Sequence, residues 1–123
     1  MDPELTKKDK LAAAKLIKTG ANSEFRQFLL QTDEMIQGWK KNQTDANNTF
    51  HLLYDSIIDF NRYMARKYGV LKPEIFFDLI VGLLIEKRIS IMDLDKFTVK
   101  TKQEILRIVN EREQEKIAPS PGL

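Results

Sequence analysis

An all-α fold, a compact antiparallel bundle of four to five helices around one central apolar helix at about 73–88, is predicted by three features of this sequence. First, Ile75, Phe76, Phe77, Leu79, Ile80, Val81, Leu83, Leu84 and Ile85 crowd one stretch, with only Glu74, Asp78, Gly82 and Glu86 between them. Those four polar or small positions recur every fourth residue, a single line along a helix, so every other direction is apolar and must be enclosed. At roughly 1.5 to 3 kcal/mol per buried large side chain, such a helix could contribute on the order of 15 to 25 kcal/mol before entropy is subtracted. Second, apolar residues elsewhere recur at spacings of 3, 4 and 7, the period of helices with one buried face. Third, the breaks between these runs are short and favour antiparallel neighbours.

Taken in order, residues 1–4 read as a disordered N-terminus, 5–116 as a single helical domain and 117–123 as a disordered tail with Pro119, Pro121 and Gly122. Leu11, Ala12, Ala14, Leu16 and Ile17 alternate with five lysines as a first amphipathic helix from Leu5 to Thr19, which Gly20 is expected to stop in the left-handed terminal conformation. Asn22 or Ser23 would cap a second helix to about Lys41, carrying Phe25, Phe28, Leu29, Thr32, Ile36 and Trp39. The run Asn42 to Thr49 is turn and capping chemistry, with Thr44 or Asp45 opening the next helix. That third helix carries Phe50, Leu53, Tyr54, Ile57, Ile58, Phe60, Tyr63, Met64 and Tyr68, and Gly69 ends it.

Pro73 suits the first position of the central helix, where its missing N–H would be unpaired anyway, and Lys87 and Arg88 suit the other end. The expected wet stripe includes Asp78; were Asp78 buried, Arg62 or Arg66 would be its counter-ion. Gly82 lowers helix propensity, and close approach of another helix would explain it. Ser90 can cap a short turn, Ile91 to Lys96, whose Ile91, Leu94 and Phe97 point inward. The last helix starts at Thr98 or Thr101, and Thr101 with Glu104 has capping-box spacing. Its apolar stripe is Val99, Ile105, Leu106, Ile108 and Val109.

Composition narrows the function classes. Twenty basic and eighteen acidic residues nearly cancel, so no strong field for nucleic acid or anionic lipid is implied. Absence of cysteine rules out a disulfide framework, a thiolate nucleophile and a cysteine metal site. The opening residues lack the apolar run of a signal peptide and the central run is about half a membrane span, so a cytoplasmic protein with no membrane span is expected.

His51, Asp55 and Asp59 stand at i, i+4 and i+8 and are the best metal or acid/base constellation. Pairing with one another or with Arg62, Arg66 and Lys67 along a solvated face accounts for them more simply. One histidine cannot furnish a di-iron bundle, and there is no nucleophile elbow or glycine-rich phosphate loop. The expectation is therefore a non-enzyme with no cofactor and no metal.

Two function classes follow. The first is a small helical adaptor, regulatory or immunity-type module that works by protein–protein contact, self-association as a homodimer included, with Trp39, Phe76, Phe77 and Gly82 as interface candidates. Its basis is the breadth of the apolar and aromatic arcs on several helices, which either exceed what one small core can enclose or fit together inside a single five-helix core. Size and helical pattern also suit the small bundle proteins that confer immunity to bacteriocins, although no motif here is specific to them. The alternative is a nucleic-acid-binding accessory protein. The short turn and last helix at 90–110 would form a helix-turn-helix-like pair, with Lys96, Lys100, Lys102, Gln103 and Arg107 as contacts.

Overall fold

The structure, a computed structural model, describes residues 5–117, so the ends read as disordered lie, apart from Ile117, outside the described residues. The protein is an all-α bundle: α1 (Lys7–Lys40), α2 (Ala46–Tyr68), α3 (Pro73–Ile85), a 3-10 turn (Ile91–Lys96) and α4 (Val99–Ile117). Among the described residues its packing divides into two units, one of residues 5–20 with 71–117 and one of residues 21–70.

The first unit is built around α3, as its composition requires. Phe76, Phe77, Leu79, Ile80, Val81 and Leu83 are all buried. Ala12, Ala13, Leu16 and Ile17 of α1, Ile89, Leu94 and Phe97 before and around the 3-10 turn, and Ile105 of α4 complete the core. Glu74, Asp78 and Glu86 remain exposed along the polar stripe, and Asp78 pairs at 2.7 Å with Arg112 rather than with a residue of α2. Pro73 does stand at the start of α3.

Helix α3 is shorter than expected, because Lys87 takes a left-handed φ of 61°. Its N–H donates to Leu84 O at 3.0 Å and that of Arg88 donates to Leu83 O at 2.9 Å. These two bonds close the helix as a Schellman motif without glycine.

Gly20 does not end a helix. Residues 7–40 form one continuous helix, and Gly20 lies inside it because Leu83 packs where a side chain would stand. A Cβ there would fall 2.6 Å from each Leu83 methyl carbon. Gly82, by contrast, has no close neighbour of this kind: a Cβ would meet only the Glu86 carboxylate at 3.6 Å, ordinary contact.

Two residues expected inside lie outside, Ile91 at 62 % and Val99 at 71 % exposure. In each case the tight local turn aims the neighbouring Leu94 or Phe97 at the core instead. The expected box at Thr101 and Glu104 is also displaced, since Thr101 is buried and donates to Asp9. Reciprocal caps occur elsewhere. Thr6 and Asp9 exchange N–H to side-chain bonds of 3.2 and 3.1 Å, and the Ser90 N–H donates to Asp93 at 2.8 Å. Thr98 precedes α4, and its own N–H donates to Asp9 Oδ1 at 2.8 Å, so a buried carboxylate sits at the positive end of α4.

Candidate docking surface

The second unit is a helical hairpin, Ala21–Lys40 of α1 against α2. Its turn is dictated locally. Asn42, one of the few residue types that accept a left-handed backbone, has φ 60°. The N–H groups of Asn42 and Gln43 close α1 on Trp39 O and Gly38 O, both at 2.9 Å. Asp45 then caps α2, its Oδ1 accepting the Asn48 N–H at 2.7 Å.

Inside the hairpin, Phe60 lies stacked on Phe28 at 4.3 Å and edge-on to Phe25 at 5.6 Å. Nearby, Glu24 is buried at 3 % exposure and accepts hydrogen bonds from Tyr63 and Tyr68. The Lys67 ammonium lies 3.1 Å from the Glu24 carboxylate and over both phenol rings, at 5.5 and 5.6 Å from their centroids. Burial would raise the Glu24 pKa, but the two phenols and Lys67 outweigh it and hold the carboxyl below its ordinary value. The same contact, after burial itself, pushes the Tyr63 phenol above its ordinary value.

Two helices cannot enclose all that this hairpin carries. Phe25, Leu29, Leu30 and Trp39 on α1, and Phe50, Leu52, Tyr54 and Ile57 on α2, are between 42 % and 66 % exposed. Within the hairpin only Met64 is a buried large hydrophobic residue. Scattered exposed leucines are ordinary; a dense aromatic set on one small hairpin is an unpartnered surface.

Of the residues singled out from sequence, Trp39 lies on this hairpin at 42 % exposure, whereas Phe76 and Phe77 are in the core of the first unit at 9 % and 7 %. His51, Asp55 and Asp59 are exposed and do not assemble. Among the described residues no group of three histidine, cysteine or acidic side chains could hold a metal. Successive helical turns carry these three apart, about 6 Å per step, instead of converging them.

On α4, Arg107 is held by Glu104 and, at 2.6 Å, by Glu111, while Lys102 pairs with Asp95. The hydrogen bond from Arg107 lowers the Glu104 pKa and raises that of the guanidinium. Lys96, Lys100 and Gln103 are exposed. No helix of the described residues is long and apolar enough to cross a membrane.

Sequence reasoning passed over Asp9 and Glu24, the two buried acids among the described residues. The spacing Thr6-x-x-Asp9 is a capping-box signal that could have found the first. Nothing local marks the second, whose partners are 39 and 44 residues away.

This arrangement defines a helical bundle protein bearing an apolar hairpin. No protein-family model, curated protein or solved structure matches the chain.

Proposed function

We propose that this protein is a non-enzymatic module that acts by protein–protein contact, and that the hairpin of residues 21–70 is the contact surface. The observation that carries this reading is the exposure of Phe25, Leu29, Leu30, Trp39, Phe50, Leu52, Tyr54 and Ile57 on one two-helix unit. Aromatic side chains held on regular helices offer large contact area at low entropic cost on docking and are the usual anchors of an interface. Glu24, Lys67 and the two tyrosines fix the hairpin internally and leave its outer faces free for that role.

The nucleic-acid alternative receives less support from the geometry. Arg107 and Lys102, two of its five contact candidates, are engaged by acidic neighbours, and phosphate binding would have to displace those carboxylates.

The test is site-directed photocrosslinking in cells, with a photoreactive phenylalanine analogue introduced at Phe50 or Leu30 and, as control, at the exposed Lys15. Protein adducts are expected from the two hairpin positions and not from Lys15. Absence of adducts at the hairpin positions, or equal adducts at all three, overturns the reading.

A further inference from the structure

We propose that the partner on this surface is a second copy of the chain, two hairpins joining side by side as a four-helix array. This rests on the reading of the hairpin as a contact surface and names its occupant.

Spacing is the first observation. Phe25, Leu29, Thr32, Ile36 and Trp39 follow one another at steps of 4, 3, 4 and 3, and Phe50, Tyr54, Ile57, Asn61 and Met64 do the same on α2. A 3.5-residue repeat is the pattern of helices packed at small angles in bundles, each presenting one seam to a neighbour. Phe28 and Phe60 belong to the seam that already pairs inside the hairpin, and Phe25, edge-on to Phe60, and the buried Met64 lie where the two seams border each other. The heptad-spaced residues Phe25, Leu29, Trp39, Phe50, Tyr54 and Ile57, all at least 42 % exposed, therefore form a further seam on each helix.

Level is the second observation. Phe25 and Phe28 contact Phe60 near one end of the hairpin, and the chain turns at 41–45 at the other. Hence Leu29 stands at about the height of Ile57, and Ile36 at about that of Phe50. An α1 seam and an α2 seam matched in height are self-complementary: a two-fold axis along the hairpin lays each on the other in the second copy, repeating outside the antiparallel pairing made inside.

Area and charge agree. An aromatic side chain carries about 150 to 250 Å2, so the exposed fractions of these six residues leave roughly 600 Å2 per copy. Joining two copies removes about 1,200 Å2, the lower bound of specific interfaces. Residues 21–70 hold six acidic and six basic side chains, so net charge does not oppose self-association.

Sedimentation of the full chain across a wide concentration range tests this, with Leu29→Glu, Ile57→Glu and, outside the hairpin, Leu11→Glu. A dimer is expected for the unaltered chain and for Leu11→Glu. Leu29→Glu and Ile57→Glu should weaken it on the order of 100-fold with helical circular dichroism unchanged, since each would bury a charge. Because the chain has no cysteine, Leu29→Cys and Ile57→Cys chains can also be mixed, and a disulfide between the two different chains is expected in preference to one between like chains. A monomer at every concentration, or a dimer indifferent to both glutamates, overturns the proposal. Hairpin photoadducts to a different protein alongside a monomeric chain would leave the contact surface standing while removing its self-pairing.

Discussion

The Thr101 hydroxyl donates to Oδ2 of Asp9 at 2.8 Å, joining residues 92 positions apart in a buried contact. Asp9 has no exposed surface, and burial by itself would raise its pKa. The Thr98 N–H, the Thr101 hydroxyl and Thr6 reverse that and hold the carboxyl below the ordinary aspartate value. A folded-state pKa below the unfolded one contributes stability that is complete above the unfolded value, near pH 3.9, and is lost as pH falls through the folded value. Asp9→Asn should therefore cost about 1.5 to 3 kcal/mol at neutral pH. It should also flatten the acid limb of stability, leaving the share that Glu24 supplies by the same sign. Urea midpoints at pH 7 and through the acid range below pH 4 measure both, and a variant equal to the parent at pH 7, or one whose deficit stays constant as pH falls, would contradict the assignment.

Gly20 and Leu83 should be coupled. Alanine is favoured over glycine by up to about 1 kcal/mol in a helix interior. Here a Cβ would stand 2.6 Å from the Leu83 methyls, and Leu83, with no exposure, has nowhere to withdraw. Overpacking of roughly 1 to 3 kcal/mol outweighs the helix gain, so Gly20→Ala is expected to destabilise. Leu83→Ala should cost about 2 to 5 kcal/mol. The double variant should be less destabilised than the two added, which thermal unfolding of the four chains would show. Simple additivity would mean the contact is slack.

The same pair shows where sequence stops being informative. The all-round apolar run after Pro73 leaves a helix only one fate, burial, so the core of the first unit was legible from Phe76, Phe77, Ile80 and Leu83 alone. Gly20 read as a helix end because glycine usually marks one; only knowing that Leu83 packs against it reveals a glycine kept for space. Lys87 hid the opposite case, a left-handed helix end carrying a side chain. On the hairpin, Phe25, Phe50 and Tyr54 were visible as apolar arcs. That these arcs could exceed one core was legible, but which of them stays uncovered was not, because periodicity states which residues share a face and says nothing about whether that face is covered.

Lys87→Gly should stabilise the chain by roughly 0.5 to 1 kcal/mol. Lysine at φ 61° bears the crowding between Cβ and carbonyl that makes the left-handed region costly for L-residues, whereas glycine has no Cβ. The bonds from the N–H groups of residues 87 and 88 to Leu84 and Leu83 are main-chain and persist in the variant. A rise in melting temperature of a few degrees is the corresponding signal for a domain of this size. A fall would show that the Lys87 side chain supplies more than its backbone strain costs.

Glu24 makes the hairpin sensitive to loss of a single hydroxyl. It is buried at 3 % exposure, accepts from Tyr63 and Tyr68 and pairs with Lys67, so Tyr68→Phe removes a donor from a charge that cannot recover it from water. Hydrogen bonds to charged groups are worth about 1.5 to 3 kcal/mol, and that loss is expected in the denaturation midpoint. The pairing also leaves a spectroscopic trace. Burial, and then the facing carboxylate, push the Tyr63 phenol up, although Lys67 pulls the other way. A raised folded-state pKa contributes stability that is complete below the unfolded phenol's value, about 10, and is lost as pH rises through the folded one. Tyrosinate absorbance should accordingly keep a component that rises above pH 10 and that Tyr63→Phe removes. If Tyr63→Phe left the titration curve unchanged in shape, the phenol would be donating to water and not to Glu24.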